Sequence, residues 1–222
     1  MGSKGILPKG YSARTALHEY GGAAYTVGSD GILIFSDWKT RGVFSLDPSS
    51  SEVQAITEND PGIRYAAFNV HPNTPHLIIA VQEDHHAAVE NRLVLIDADT
   101  KIIRTVAQGA DFYSDPSFSP SGDRLCWIQW NHPDMPWTGS VLYVADWHDT
   151  HVSTPVAVAG NSGSESVIHP RWGPDGTLFF SSDYTGYYQL HRLGKGKPQA
   201  QILNLKGLEH GEFAGLSFRL GT

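Results

Sequence analysis

Four copies of one pattern run along this chain. Aligned on its turn residues, the sequence reads AAYTVGSDGILIFSDWKTRGVFSLDPSSSEVQAIT, then AAFNVHPNTPHLIIAVQEDHHAAVENRLVLIDADTKIIRTVA, then PSFSPSGDRLCWIQWNHPDMPWTGSVLYVADWHDTHVSTPVAVA, then PRWGPDGTLFFSSDYTGYYQLHRLGKGKPQAQIL. Each copy opens with a short apolar or aromatic strand. It then turns at Ser29-Asp30-Gly31, His71-Pro72-Asn73, Pro120-Ser121-Gly122 or Pro174-Asp175-Gly176, residues that set or tolerate turn dihedrals. A second strand is predicted at 32–36, 76–82, 124–130 and 177–182. After a variable polar loop, a third alternates apolar and polar residues at 43–47, 93–97, 141–146 and 188–193. A weaker fourth closes the unit at 53–57, 102–107, 154–159 and 200–203.

Four antiparallel strands recurring every 40 to 55 residues mark an all-β β-propeller, with about four blades present. A β-sandwich also uses short strands and frequent turns, but it need not repeat the same strand order. The expected division is an N-terminal tail at 1–14 and a propeller at 15–222, with blades at 23–57, 66–107, 116–159 and 170–205. A further opening strand is expected at 212–218. Two arrangements remain open: a closed four-bladed ring, or an arc of a larger ring. An arc would leave blade faces uncovered, and apolar faces of that size promote self-association.

Composition narrows the function classes. Of 222 residues, 40% are hydrophobic and 18% charged, enough to bury a core. The formal charge of −7 argues against a nucleic-acid partner, which calls for a basic surface. No apolar run approaches the roughly 20 residues that span a bilayer, and the N-terminus has no apolar signal-peptide core. The single cysteine, Cys126, allows no intramolecular disulfide and no multi-thiolate zinc site. The expected compartment is the cytoplasm.

Several segments carry a more specific pattern. In order, they are His18-Glu19-Tyr20-Gly21-Gly22, Phe35-Ser36-Asp37-Trp38, Arg64-Tyr65-Ala66, Glu83-Asp84-His85 with Glu90-Asn91, and Gly109-Ala110-Asp111-Phe112-Tyr113-Ser114. The most specific is Trp127-Ile128-Gln129-Trp130-Asn131-His132-Pro133-Asp134-Met135-Pro136-Trp137, and Phe180-Ser182-Asp183-Thr185-Gly186 with Leu190-Arg192-Leu193 completes the set. Over residues 15–218 the chain resembles the N-terminal propeller of the prolyl oligopeptidase family of serine peptidases, in its acylaminoacyl-peptidase and dipeptidyl-peptidase-like branch. The resemblance implies a propeller that restricts peptide access to the Ser-Asp-His triad of an α/β-hydrolase domain. No such domain is recognisable in this sequence, so the implied partner is a hydrolase domain or subunit in cis or in trans, and no cofactor is implied.

The residues themselves offer little catalytic chemistry. The nearest approach to a G-x-S-x-G nucleophile turn is Gly160-Asn161-Ser162-Gly163-Ser164. Its fifth residue is wrong and no helix pattern follows, so it reads as a Gly/Ser loop and no catalytic residue is assigned. Glu19, Glu83 and Asp84 fall at strand ends on the matching segments, where carboxylates could pair with the free amino group of a peptide. Trp137, in a Pro-Trp-Thr-Gly turn, is the most exposed tryptophan expected, while Trp127, Trp130, Trp147 and Trp172 read as packing. His85, His86 and Glu90 crowd one loop as weak metal-ligand candidates, with hydrogen bonding as the simpler role. Three functions therefore stand: a peptidase propeller, a stand-alone protein-binding scaffold, and a metal-dependent propeller enzyme.

Overall fold

The structure, a computed structural model, describes residues 5–197 and 199–205; the strand expected at 212–218 lies outside them. The described residues form β1 (Tyr25–Val27), β2 (Leu33–Ser36), β3 (Val43–Asp47), β4 (Glu52–Ala55), β5 (Ile63–Val70), β6 (Leu77–Asp84), β7 (Glu90–Asp97) and β8 (Ile103–Gln108). They continue as β9 (Phe112–Phe118), β10 (Arg124–Trp130), β11 (Val141–His148), β12 (His151–Val152), β13 (Val156–Gly160), β14 (Val167–Trp172), β15 (Leu178–Ser182), β16 (Gln189–Leu193) and β17 (Gln201–Ile202). The helical element among them is one 3₁₀ turn, Leu17–Glu19. No helix of the described residues is long and apolar enough to cross a membrane.

The strands form four antiparallel meanders, the blades of a β-propeller fold: β1-β2-β3-β4, β5-β6-β7-β8, β9-β10-β11-β13 and β14-β15-β16-β17. The third carries an extra two-residue strand, β12, on the end of β11. The chain divides into two compact units, one holding the first two blades and the other the last two, with the division after Gln108.

In the first unit, Ile34, Val43 and Ile56 of the first blade bury against Tyr65, Phe68, Ile78, Ala80, Val94 and Ile96 of the second. The opposite face of the first blade, with Leu33, Phe35, Phe44 and Leu46, is covered by Leu7, Tyr11 and Ala13. That arrangement explains why β2 is apolar at successive positions: alternate side chains serve opposite faces, and both faces are buried. Residues 11–14 are thus packed as part of the first blade. Ala13 bridges to Asp37, and the Asp37 carboxylate accepts the backbone N–H groups of Ser12 (2.8 Å), Lys39 (3.2 Å) and Thr40 (3.1 Å). Burial pushes the Asp37 pKa up, but these hydrogen bonds together hold it below its ordinary value.

In the second unit, Cys126, Ile128, Trp130, Leu142 and Val144 pack against Val167, Leu178, Phe180 and Leu193. A fully buried Val, Leu, Ile or Phe of this set contributes about 1.5–3 kcal/mol.

The first strands of the last three blades share an irregularity. Ala67, Asp115 and His169 all have positive φ (55°, 49° and 54°), and the ladder slips at each. Each lies four residues before the residue whose N–H closes the following turn: His71, Ser119 and Gly173. A bulge of this kind bends the strand and re-aims the side chains beside it.

Candidate functional site

The richest cluster of ionisable groups belongs to the first unit. The 3₁₀ turn places His18 (φ 52°) and Glu19 (φ 64°) in the left-handed region, which is costly for residues with a Cβ. The turn is held by Glu83 of β6, whose Oε2 accepts the His18 backbone N–H at 2.8 Å. Arg64 of β5 pairs directly across the ladder with Glu83. Its Nη1 donates to the Ala16 carbonyl (2.8 Å), to Glu19 Oε1 (2.6 Å) and to Glu83 Oε1 (3.0 Å). His85 Nε2 lies 2.6 Å from Glu83 Oε1.

The two glutamates therefore differ sharply. The Glu83 side chain is 3% exposed and that of Glu19 is 74% exposed. The hydrogen bond and charge of Arg64 lower the Glu19 pKa, so Glu19 carries its negative charge throughout the neutral range. His18 is buried, and desolvation lowers its pKa, with the Glu83 charge opposing that shift.

Among the described residues, the donor atoms of Glu19, Glu83 and His85 lie within 4.8 Å of one another, close enough to share a cation. Arg64 already supplies a cation to both carboxylates there. His86 instead faces Asp84 (2.8 Å) and Asp60 (3.2 Å), and Glu90 pairs with Arg92 at 2.5 Å. Asp84 also lies 3.5 Å from Arg92, and its pKa is lowered chiefly by the backbone N–H of His86. Arg64 is the residue whose role the sequence alone does not disclose. Its signal, opposite charges at positions 64 and 83, becomes legible only once the strand register is known.

No protein-family model matches this chain, and no curated protein does. Among solved structures, a Mycobacterium tuberculosis puromycin-hydrolyzing peptidase superposes with a TM-score of 0.79 at 30% sequence identity, over 90% of this chain. The chain is homologous to the propeller portion of prolyl oligopeptidase-family peptidases. This propeller segment spans 33% of the length of that peptidase. A puromycin hydrolase matches at 24% identity and TM-score 0.79, over 89% of the segment and 33% of its own chain. The dipeptidyl peptidase 4 of Porphyromonas gingivalis shares the fold at 10% identity and TM-score 0.61, over 82% of the segment and 32% of its own chain.

The segment's most specific stretch, residues 127–137, is tied down by polar contacts in the second unit. Asp111 accepts the His132 N–H at 2.8 Å. The Asp134 carboxylate accepts Ser162 Oγ (2.5 Å) and the Gly163 N–H (3.0 Å). Ser166 Oγ donates to the Pro136 carbonyl at 2.6 Å. Asp134 thus ties the Gly160-to-Ser164 loop to residues 127–137. Trp137 is 42% exposed, whereas Trp127, Trp130 and Trp147 are buried. Cys126 is fully buried and desolvation pushes its thiol pKa well up, which makes it a packing residue.

Proposed function

We propose that this propeller segment binds short peptides and aminoacyl compounds through their free amino group and screens them for an α/β-hydrolase unit in cis or in trans. The observation that carries the reading is the exposed Glu19 carboxylate, anchored through one oxygen by Arg64 and backed by buried Glu83. A carboxylate held in one place loses little rotational freedom on accepting an ammonium, and the charge-assisted hydrogen bond is about twice as strong as a neutral one. Glu83 acts as the support, and Asp84 adds negative charge at the same strand end. The names of the similar peptidases, which hydrolyse puromycin, favour small aminoacyl substrates of that kind.

Isothermal titration of the chain with dipeptides carrying free or acetylated N-termini, and with puromycin, tests the reading. The free-amino ligands should bind more tightly, and Glu19→Gln should remove that preference. Equal affinity for both forms would overturn it. An aminoacyl-anilide assay should give no turnover by the chain alone and turnover when a candidate hydrolase subunit is added.

A further inference from the structure

We infer that the β11–β12 hairpin is a two-histidine site for a divalent transition metal, of the borderline-soft class that includes Cu²⁺ and Zn²⁺. His148 and His151 are directly opposed across the hairpin, next to the Trp147–Val152 pair. Two residues, Asp149 and Thr150, join them; Asp149 takes the left-handed turn conformation (φ 52°), and the Thr150 N–H closes onto the His148 carbonyl at 2.6 Å. Directly opposed residues present their side chains to the same face. Trp147 is buried, so the alternation of the strand turns the two imidazoles outward, and both are exposed.

The ring centroids are 5.5 Å apart and the planes are inclined at 36°. Two imidazoles bound to one tetrahedral metal through M–N bonds of about 2.0–2.1 Å have centroids on the order of 5 Å apart, so small side-chain rotations bring both rings onto one ion. Among the described residues, neither ring nitrogen is committed to a hydrogen bond, which leaves each with a lone pair to offer in its neutral form. The tight turn fixes the backbone spacing before any ion arrives, so the second imidazole binds as a tethered ligand. Two imidazoles are a half-filled coordination set, with water in the remaining positions. Cu²⁺ should bind more tightly than Zn²⁺ at such a site. This hairpin is separate from the Glu19 cluster, and the inference does not depend on the peptide-binding reading.

Titration of the full chain with Cu²⁺, followed by electron paramagnetic resonance and calorimetry, tests it. One equivalent should bind with a signal showing two imidazole nitrogens. His148→Ala and His151→Ala should each weaken binding by about 10²-fold, the advantage of a second tethered ligand. His85→Ala should leave it unchanged. Far-ultraviolet circular dichroism of each variant confirms that an exposed hairpin substitution leaves the fold intact. Undiminished binding in the His148→Ala, His151→Ala double variant would overturn the site, as would loss on His85→Ala alone or no binding by the wild-type chain.

Discussion

Arg64 and Glu83 face each other across the β5–β6 ladder with 3.0 Å between Nη1 and Oε1, and both are largely withdrawn from solvent. The same carboxylate holds the strained His18 turn through a backbone N–H. Glu83→Ala should therefore cost about 1–3 kcal/mol, because the buried His18 N–H is left without its acceptor, while Arg64 keeps Glu19 and the Ala16 carbonyl. Glu19→Gln, on the exposed side of the same guanidinium, should stay within about 0.5 kcal/mol. Urea denaturation of the two variants measures both. Equal losses would mean that the exposed acid holds the turn as firmly as the buried one.

The second unit relies on a different arginine. Arg124 of β10 is buried, donates Nη2 to the Gly176 carbonyl, and stacks 4.6 Å from the Trp172 ring centroid. It joins the third blade to the first hairpin of the fourth. Arg124→Lys keeps the charge but loses the planar fork and the stacking face. A loss of about 2–4 kcal/mol is expected from the hydrogen bond and the cation–π contact together. A denaturation midpoint equal to wild type would show that a bare ammonium suffices there.

The blade pattern was legible because local chemistry dictates it. The turn at Pro174-Asp175-Gly176, for example, is fixed within four residues: Asp175 Oδ1 accepts the Thr177 N–H at 3.0 Å, and Gly176 takes φ 77°. The predicted strands at 43–47 and 124–130 coincide with β3 and β10. β12 was not foreseen, because two residues carry no periodicity, and the early starts of β5 and β9 were missed because each bulge breaks the alternation. Residues 11–14 read as a tail because their partners, Asp37 and Phe35, lie more than twenty positions away. The Glu19 cluster was half legible. Its acids stood out in the sequence, but their unequal burial depends on the β5–β6 register and on Arg64, which local sequence does not specify.

Asp115 runs against the chain's other shifted aspartates. Burial raises its pKa, and Arg171, 3.7 Å away and mostly exposed, only partly offsets that. A carboxyl whose folded-state pKa is raised binds its proton more tightly when folded, so its ionised form destabilises the fold, and stability falls as pH rises through that pKa. Asp115→Asn removes the charge and keeps a residue that tolerates φ 49°. The variant should have a higher urea midpoint than wild type at pH 7, and the gap should close on acidification. A lower midpoint at pH 7 would show that the Arg171 pair outweighs the burial of the charge.

Gly160 and Gly163 separate a steric requirement from a conformational one. Both have positive φ, 91° and 70°, so alanine at either incurs left-handed strain of roughly 1–2 kcal/mol. At Gly163 a Cβ would meet nothing within 4 Å. At Gly160, where β13 pairs with Val141, it would collide with the Ser140 carbonyl oxygen, which is backbone and cannot swing aside. Gly163→Ala should therefore cost only the strain, while Gly160→Ala should cost at least about 2 kcal/mol more as the ladder is forced apart. Amide hydrogen exchange at Val141 and Leu142 should accelerate in Gly160→Ala alone. If the two variants lose the same stability, the β11–β13 ladder yields to the added methyl, and the first glycine of that loop serves its φ rather than the close approach of the strands.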